Sequence, residues 1–223
     1  MPIDTDKLLN KVLELYQSCS SYSDVGEVSS DDMGSLQFKT YFCRPSKFRF
    51  EWSKPERTTD VVISENDTMA TYFAGETSEH MSLALAIAGA TGVSLGAAPS
   101  VAHLLMPNLF KKGQFQSFLA HRPYSLLEEA DSYLKLRADW RSNCWTTLWL
   151  DKISMTIRRI EEGFEPTLEE KNRGVEALEL LNAPETEEVR ALLYVEEKPH
   201  VTTTSYNDVK FDVQISHDLF GKL

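Results

Sequence analysis

The sequence predicts an α+β protein in which a strongly curved antiparallel sheet wraps around apolar helices. Three observations predict it: an amphipathic helical stretch at the start, several runs in which apolar and polar residues alternate, and a central uncharged stretch broken by glycines. A chain of 223 residues suits one domain, 1–223. At that size it can bury about 70% of its unfolded surface, so it needs no disulfide or metal to fold.

The first element is a helix over 4–20. Leu8, Leu9, Val12, Leu13, Leu15, Tyr16 and Cys19 recur at three- and four-residue spacings and form one apolar face, and Asp4 or Thr5 can cap the first free amides. The period then changes to two. Leu36, Phe38, Thr40, Phe42 and Arg44 fall on one side of the run 36–44. In 47–52, Phe48, Phe50 and Trp52 alternate with Arg49 and Glu51, and Pro45–Ser46 makes a short connection between the runs. Such alternation marks antiparallel strands covered on one side. Strands over 60–64 and 69–74 follow, parted by a turn at Glu65-Asn66-Asp67.

The stretch 80–110 is uncharged apart from its histidines and rich in Ala, Leu and Gly. Gly89, Gly92, Gly96 and Pro99 interrupt it too often for a membrane span, and two short buried helices over 79–91 and 99–110 fit instead. Beyond it, 125–138 reads equally as strand or helix. The run 146–160 reads as two strands around Asp151–Lys152, with Leu148, Leu150, Ile153, Met155 and Ile157 inward, and 166–181 as an acidic helix or loop. Strands over 189–196 and 202–206, then an alternation of Val209, Phe211, Val213 and Ile215, complete the chain. No internal repeat or low-complexity linker divides it.

With 34 acidic against 23 basic residues the net charge is −11, and Lys111–Lys112 and Arg158–Arg159 are the only tight basic pairs. A nucleic-acid partner and purely electrostatic docking on an anionic membrane both need a basic stripe, so neither is expected. Peripheral membrane contact of another kind stays open. Cys19, Cys43 and Cys144 form no CxxC and cannot all pair internally. The five histidines (His80, His103, His121, His200 and His217) show no metal-ligand spacing. Glu79 beside His80 reads as the acidic residue of a helix's first turn. Cys144 beside Trp145 reads as a buried, inert thiol. With no phosphate loop in the chain, no cofactor and no catalytic role are expected, an enzyme of unknown chemistry being the remaining alternative. Met1–Pro2 leads straight to Asp4 and Asp6 without the succession of a signal peptide, which suits either a cytoplasmic protein or a mature exported chain given a starting methionine.

The run Arg44-Pro45-Ser46-Lys47-Phe48-Arg49-Phe50-Glu51-Trp52 carries an Arg-Pro followed by spaced aromatics. Together with Leu148-Trp149-Leu150-Asp151-Lys152 leading into Ile157-Arg158-Arg159, with Tyr206-Asn207-Asp208-Val209 leading to Phe220, and with the order of elements, it resembles the LolA/LolB superfamily of bacterial periplasmic lipoprotein carriers, including its uncharacterised predicted-periplasmic branch. The resemblance implies an incomplete β-barrel closed by the N-terminal helix and a central helical lid over a hydrophobic cavity. It implies a periplasmic or secreted, non-catalytic carrier of a lipid, an acylated protein or another apolar ligand, or else an envelope sensor with a protein partner on the same fold. In the carriers the arginine of the Arg-Pro motif is associated with holding the lid shut, and Arg44 matches it.

The ligand-binding candidates are therefore Arg44, Phe38, Phe42, Phe48, Phe50, Trp52 and Tyr72. Two readings stand for each. Arg44 either points to the apolar side, where carbonyls at the ends of lid helices would satisfy it, or sits at a strand end and reaches water. The aromatics either line a cavity or fill a plain core, where each would contribute about 1.5–3 kcal/mol.

Overall fold

The computed structural model describes residues 3–54, 59–65, 68–109, 118–120, 123–193 and 198–221. One antiparallel sheet organises them. A first meander runs β1 (Ser21–Ser30), β2 (Gly34–Cys43), β3 (Lys47–Ser53), β4 (Asp60–Glu65), β5 (Thr68–Phe73) and β6 (Glu76–Glu79). A second runs β7 (Ser125–Glu129), β8 (Tyr133–Arg141), β9 (Cys144–Asp151), β10 (Ile157–Phe164) and β11 (His200–Tyr206). They join where β1 pairs with β11, Gly26 opposite Tyr206, giving the order β6-β5-β4-β3-β2-β1-β11-β10-β9-β8-β7, with β12 (Lys210–Phe211) added beside the start of β1. The curved sheet does not close into a barrel. Its edges, β6 and β7, are short, mostly exposed and carry Glu76, Glu79, Glu128 and Glu129, which discourages pairing with another chain.

The helices occupy the concave side. In α1 (Thr5–Ser18), Asp4 accepts a hydrogen bond from the Lys7 amide and Leu9, Val12 and Tyr16 are buried, so the predicted cap and the predicted face both form. α2 (Leu83–Ala90) is capped by Ser82, and α3 (Ala97–Leu105) follows Gly96, whose φ of 80° suits a residue without a Cβ. α2 packs on β4 and β5, and α3 packs between α1 and α2. Inward side chains of both meanders and these three helices make one continuous apolar core. A smaller cluster of Val61, Ile63 and Ala70, with Tyr72 against it, lies on the other face. α4 (Leu168–Leu181) opens on a capping box of Thr167 and Glu170, and α5 (Glu187–Leu192) follows it.

Several elements differ from expectation. The predicted 79–91 helix starts later, because Glu79 pairs in β6 and Ser82 is the cap; the second is Ala97–Leu105, and Phe110 lies outside the described residues. The ambiguous run 125–138 is strand, divided between β7 and β8. Of residues 166–181, expected as an acidic helix or loop, Leu168–Leu181 form a helix. The turn after β9 is longer than two residues: the Asp151 carboxylate takes the amides of Ile153 and Ser154, so Ile153 is 93% exposed and only Leu148, Leu150 and Ile157 of the expected inward set are buried. The strand expected over 189–196 is a helix as far as Leu192, nucleated by Thr186 capping the Val189 amide; 194–196 lie outside the described residues, as do Asn66 and Asp67 of the expected turn, His121 and Lys111–Lys112. After Lys210–Phe211 the alternation of Val213 and Ile215 forms no strand.

Candidate functional site

β2 and β3 place Phe38, Phe42, Phe48, Phe50 and Trp52 on the concave face, each no more than 2% exposed. The register sets Phe42 opposite Phe48 and Phe38 opposite Trp52. Phe38 stacks on Phe50 at 5.5 Å between ring centroids, Phe50 meets Trp52 at 5.7 Å, and Trp52 meets Phe73 edge-on at 5.3 Å. Phe38 also reaches across β1: a Cβ on Gly26 would stand 2.2 Å from its ring, so only glycine admits the phenyl group there. These five rings pack in the same core as α2 and α3. Tyr72 does not join them. Its neighbour Phe73 faces Trp52, so Tyr72 falls on the opposite face with Val61, Ile63 and Ala70.

Arg44 follows the end of β2 at the rim of the concavity, exposed along its stem. Its Nε donates to the Cys19 carbonyl at 2.7 Å, and one Nη donates to the carbonyls of Tyr16 at 3.2 Å and Leu105 at 3.1 Å. The guanidinium carbon lies 5.1 Å from the Phe42 ring centroid. One side chain thus ties the sheet rim to the last turns of α1 and α3, where carbonyls have no intrahelical donor. A cavity of about 570 Å³ opens beside it, lined among others by Arg44, Ser64, Met69, Leu83, Leu105 and Leu109.

Beneath α1 lies a polar group that the sequence did not signal. Asp24 is buried on the inward face of β1, where Tyr22 donates to its Oδ2 at 2.6 Å. Its Oδ1, the Thr40 hydroxyl opposite it and the Tyr206 hydroxyl on β11 complete no hydrogen bond among the described residues. Burial raises the Asp24 pKa to about 6, partly offset by the Tyr22 hydrogen bond. Burial likewise pushes the Tyr22 and Tyr206 hydroxyls upward, with Asp24 adding to the shift.

Three histidines each have a partner of their own. His103 Nδ1 meets the Pro99 carbonyl at 2.7 Å, His80 meets Thr71, and His200 pairs with Asp32. Cys19, Cys43 and Cys144 are unpaired thiols whose pKa values burial raises. Among the described residues no three His, Cys, Asp or Glu side chains are grouped to hold a metal, and no helix is long and apolar enough to cross a membrane.

No protein-family model and no curated protein sequence matches the chain. Solved structures do. A chain of the Pseudomonas aeruginosa MucA/MucB complex superposes with a TM-score of 0.50 at 10% identity, covering 98% of this chain and 60% of that one. A LolA superfamily protein from Nitrosomonas europaea matches with a TM-score of 0.36 at 10% identity, covering 99% and 98% of the two chains. The fold is that of the matched chain of the MucA/MucB complex. The Mycobacterium tuberculosis lipoprotein LppX is also similar, with a TM-score of 0.44 at 11% identity over 96% of this chain and 99% of that one. The chain spans about 60% of the length of the chain it matches in the MucA/MucB complex.

Proposed function

We propose that this is a non-catalytic periplasmic or secreted binding protein that carries a lipid, an acylated protein or another apolar ligand between the curved sheet and α2–α3. The observation that carries the reading is Arg44, which joins the sheet rim to α1 and α3 over a concave face of five aromatic rings. In the closed state α1–α3 themselves cover those rings. Uptake requires the helices to move aside, and the apolar ligand replaces them against Phe38, Phe42, Phe48, Phe50 and Trp52. Gly92 and Gly96 in the α2–α3 connection supply the freedom such a movement needs. Tyr72, on the far face, has no part in it.

Two measurements test this. Protein purified without detergent should release fatty acid or phospholipid in native mass spectrometry; repeatedly empty preparations that also fail to bind a lipid-displaceable hydrophobic dye would remove the carrier reading. Arg44→Leu should speed amide exchange across 83–105 while β1–β5 stay protected. Unchanged exchange there would make Arg44 an ordinary rim residue.

A second reading, an envelope sensor whose helices report on a partner, takes support from the likeness to a chain of the MucA/MucB complex. It predicts a stable protein partner that co-purifies and whose binding changes in Arg44→Leu.

A further inference from the structure

The concave face is covered unevenly. α1–α3 fill the end where β1 begins, but at the end where β1 turns into β2 a cavity of about 760 Å³ opens, bounded by β8–β11, the turn at Asp32–Met33, and α4 and α5. That volume is in the range of small-molecule sites. Trp140, Phe164, Met33 and Cys144 contribute its apolar wall. On its floor Ser30 stands opposite Thr202 and Thr202 opposite Glu162, so two hydroxyls and a carboxyl lie in a row across β1, β11 and β10.

Glu162 is the group without a counterpart. Its carboxyl forms no hydrogen bond or ion pair with any described residue, and burial moves its pKa up from the ordinary value. The cations of the cavity have partners other than Glu162: the Arg141 guanidinium lies 5.2 Å from the Trp140 ring centroid, and His200 pairs with Asp32. Glu170 serves the α4 capping box, and Glu188 of α5 adds a further acidic group at the mouth. Four carboxylates thus face one guanidinium and one imidazole. A half-buried carboxylate beside aromatic rings is completed by a positively charged N–H donor with an apolar body.

We propose that this cavity binds an amphipathic cation, an alkyl or aryl amine whose ammonium pairs with Glu162 while its apolar part lies against Trp140 and Phe164. The site is separate from the concavity beneath α2–α3 and does not depend on Arg44.

Octylamine, octanol and octanoate, titrated calorimetrically at neutral pH, test it. Octylamine binds most tightly and octanoate least. Glu162→Gln, which keeps the shape and removes the charge, weakens octylamine about tenfold to a hundredfold and leaves octanol unchanged. Octylamine shifts the NMR signals of the Glu162 and Thr202 amides and of the Trp140 indole, and does so equally in Arg44→Leu. Equal binding of amine and alcohol, a preference for octanoate, or an amine affinity that follows Arg44 rather than Glu162 would overturn the proposal. If Glu162→Gln fails to fold, the ranking of the three probes on the wild-type protein decides alone.

Discussion

Arg44 and Asp24 both bear on the docking of α1, and the fold holds them in opposite ways. Arg44 stands partly in water at the rim and gives its N–H groups to three carbonyls. Asp24 is 2% exposed, lies beneath the helix, and receives one side-chain hydrogen bond while its other oxygen has none. A charge at the rim keeps most of its hydration and gains carbonyl partners in addition, so it favours closure at little cost. A charge in the centre surrenders its hydration and recovers only part of it. The rim therefore ties the helices down, and at neutral pH the centre pushes against them.

The largest expected effect follows from the centre. The Asp24 pKa of about 6 lies above its ordinary 3.8, so the folded state holds the extra proton between those values. Stability is then greatest, as far as Asp24 is concerned, below about pH 4 and falls as pH rises to about 6. A shift of about two units corresponds to about 3 kcal/mol. Asp24→Asn removes that loss: the variant should be up to about 3 kcal/mol more stable than the wild type at pH 7, with the difference vanishing near pH 4. Taking the difference between the two proteins cancels groups such as Asp151, whose lowered pKa makes its own contribution fade as pH falls. Denaturant titrations across pH 4–7 measure it, and a difference that is flat with pH would break the comparison.

Tyr22→Phe should act next in size. It takes away the donor that most favours the Asp24 carboxylate, ahead of Thr40, moving the titration midpoint above 6 and costing about 1–2 kcal/mol at pH 7 but less at pH 4. In an Asp24→Asn background the same change should cost less, because the demand for that donor falls with the charge. Equal costs in both backgrounds, read from the same titrations, would mean the hydroxyl acts through packing alone.

The two positions also differ in how legible they were. Arg44 was visible because Arg-Pro followed by spaced aromatics is a local pattern, and the need of a guanidinium for acceptors points to helix ends. Two placements stood open for it, the apolar side or a strand end reaching water, and it stands at the rim, one residue past β2, with helix-end carbonyls as acceptors. Asp24 was invisible because β1 itself was. Ser-Tyr-Ser-Asp-Val-Gly-Glu-Val-Ser-Ser shows no apolar alternation, since two of its inward positions are Asp24 and Gly26. The reasons for those residues are tertiary: Gly26 admits the Phe38 ring, and Asp24 meets Tyr22. The join between the two meanders was hidden with it. At 189–196 β-branched and aromatic residues suggested a strand, and a local cap at Thr186 prevailed over that propensity. The cavity around Glu162 draws on β1, β10, β11, α4 and α5, and no local pattern announces such a gathering.

Combining the two positions sharpens the contrast further. Arg44→Leu should cost about 1–2 kcal/mol, because its carbonyl partners at the rim are rehydrated once the guanidinium is gone, and the cost should be the same at pH 4 and pH 7. Asp24→Asn with Arg44→Leu should therefore lie up to about 1–2 kcal/mol above the wild type at neutral pH and below it at pH 4. A strongly non-additive result at both pH values would mean the two groups act through one shared movement of α1.

The smallest effect, Arg44→Lys, asks what in the arginine does the tying. An ammonium keeps the charge and its attraction to the negative ends of α1 and α3, so most of the long-range term survives. What it loses is the fork. Arg44 serves Cys19 from Nε and serves Tyr16 and Leu105 from Nη, two nitrogens held in one plane with the guanidinium carbon 5.1 Å from the Phe42 ring centroid. A lysine presents a single point with a stronger hold on its water, and that point can follow α1 or α3 but not both. The expected cost is about 0.5–1 kcal/mol, and its distribution is more informative than its size. Amide exchange should stay slow in one of the two helices and quicken in the other, whereas Arg44→Leu quickens both. If Arg44→Lys protects 5–18 and 97–105 alike, charge alone holds the rim and the planar fork is dispensable.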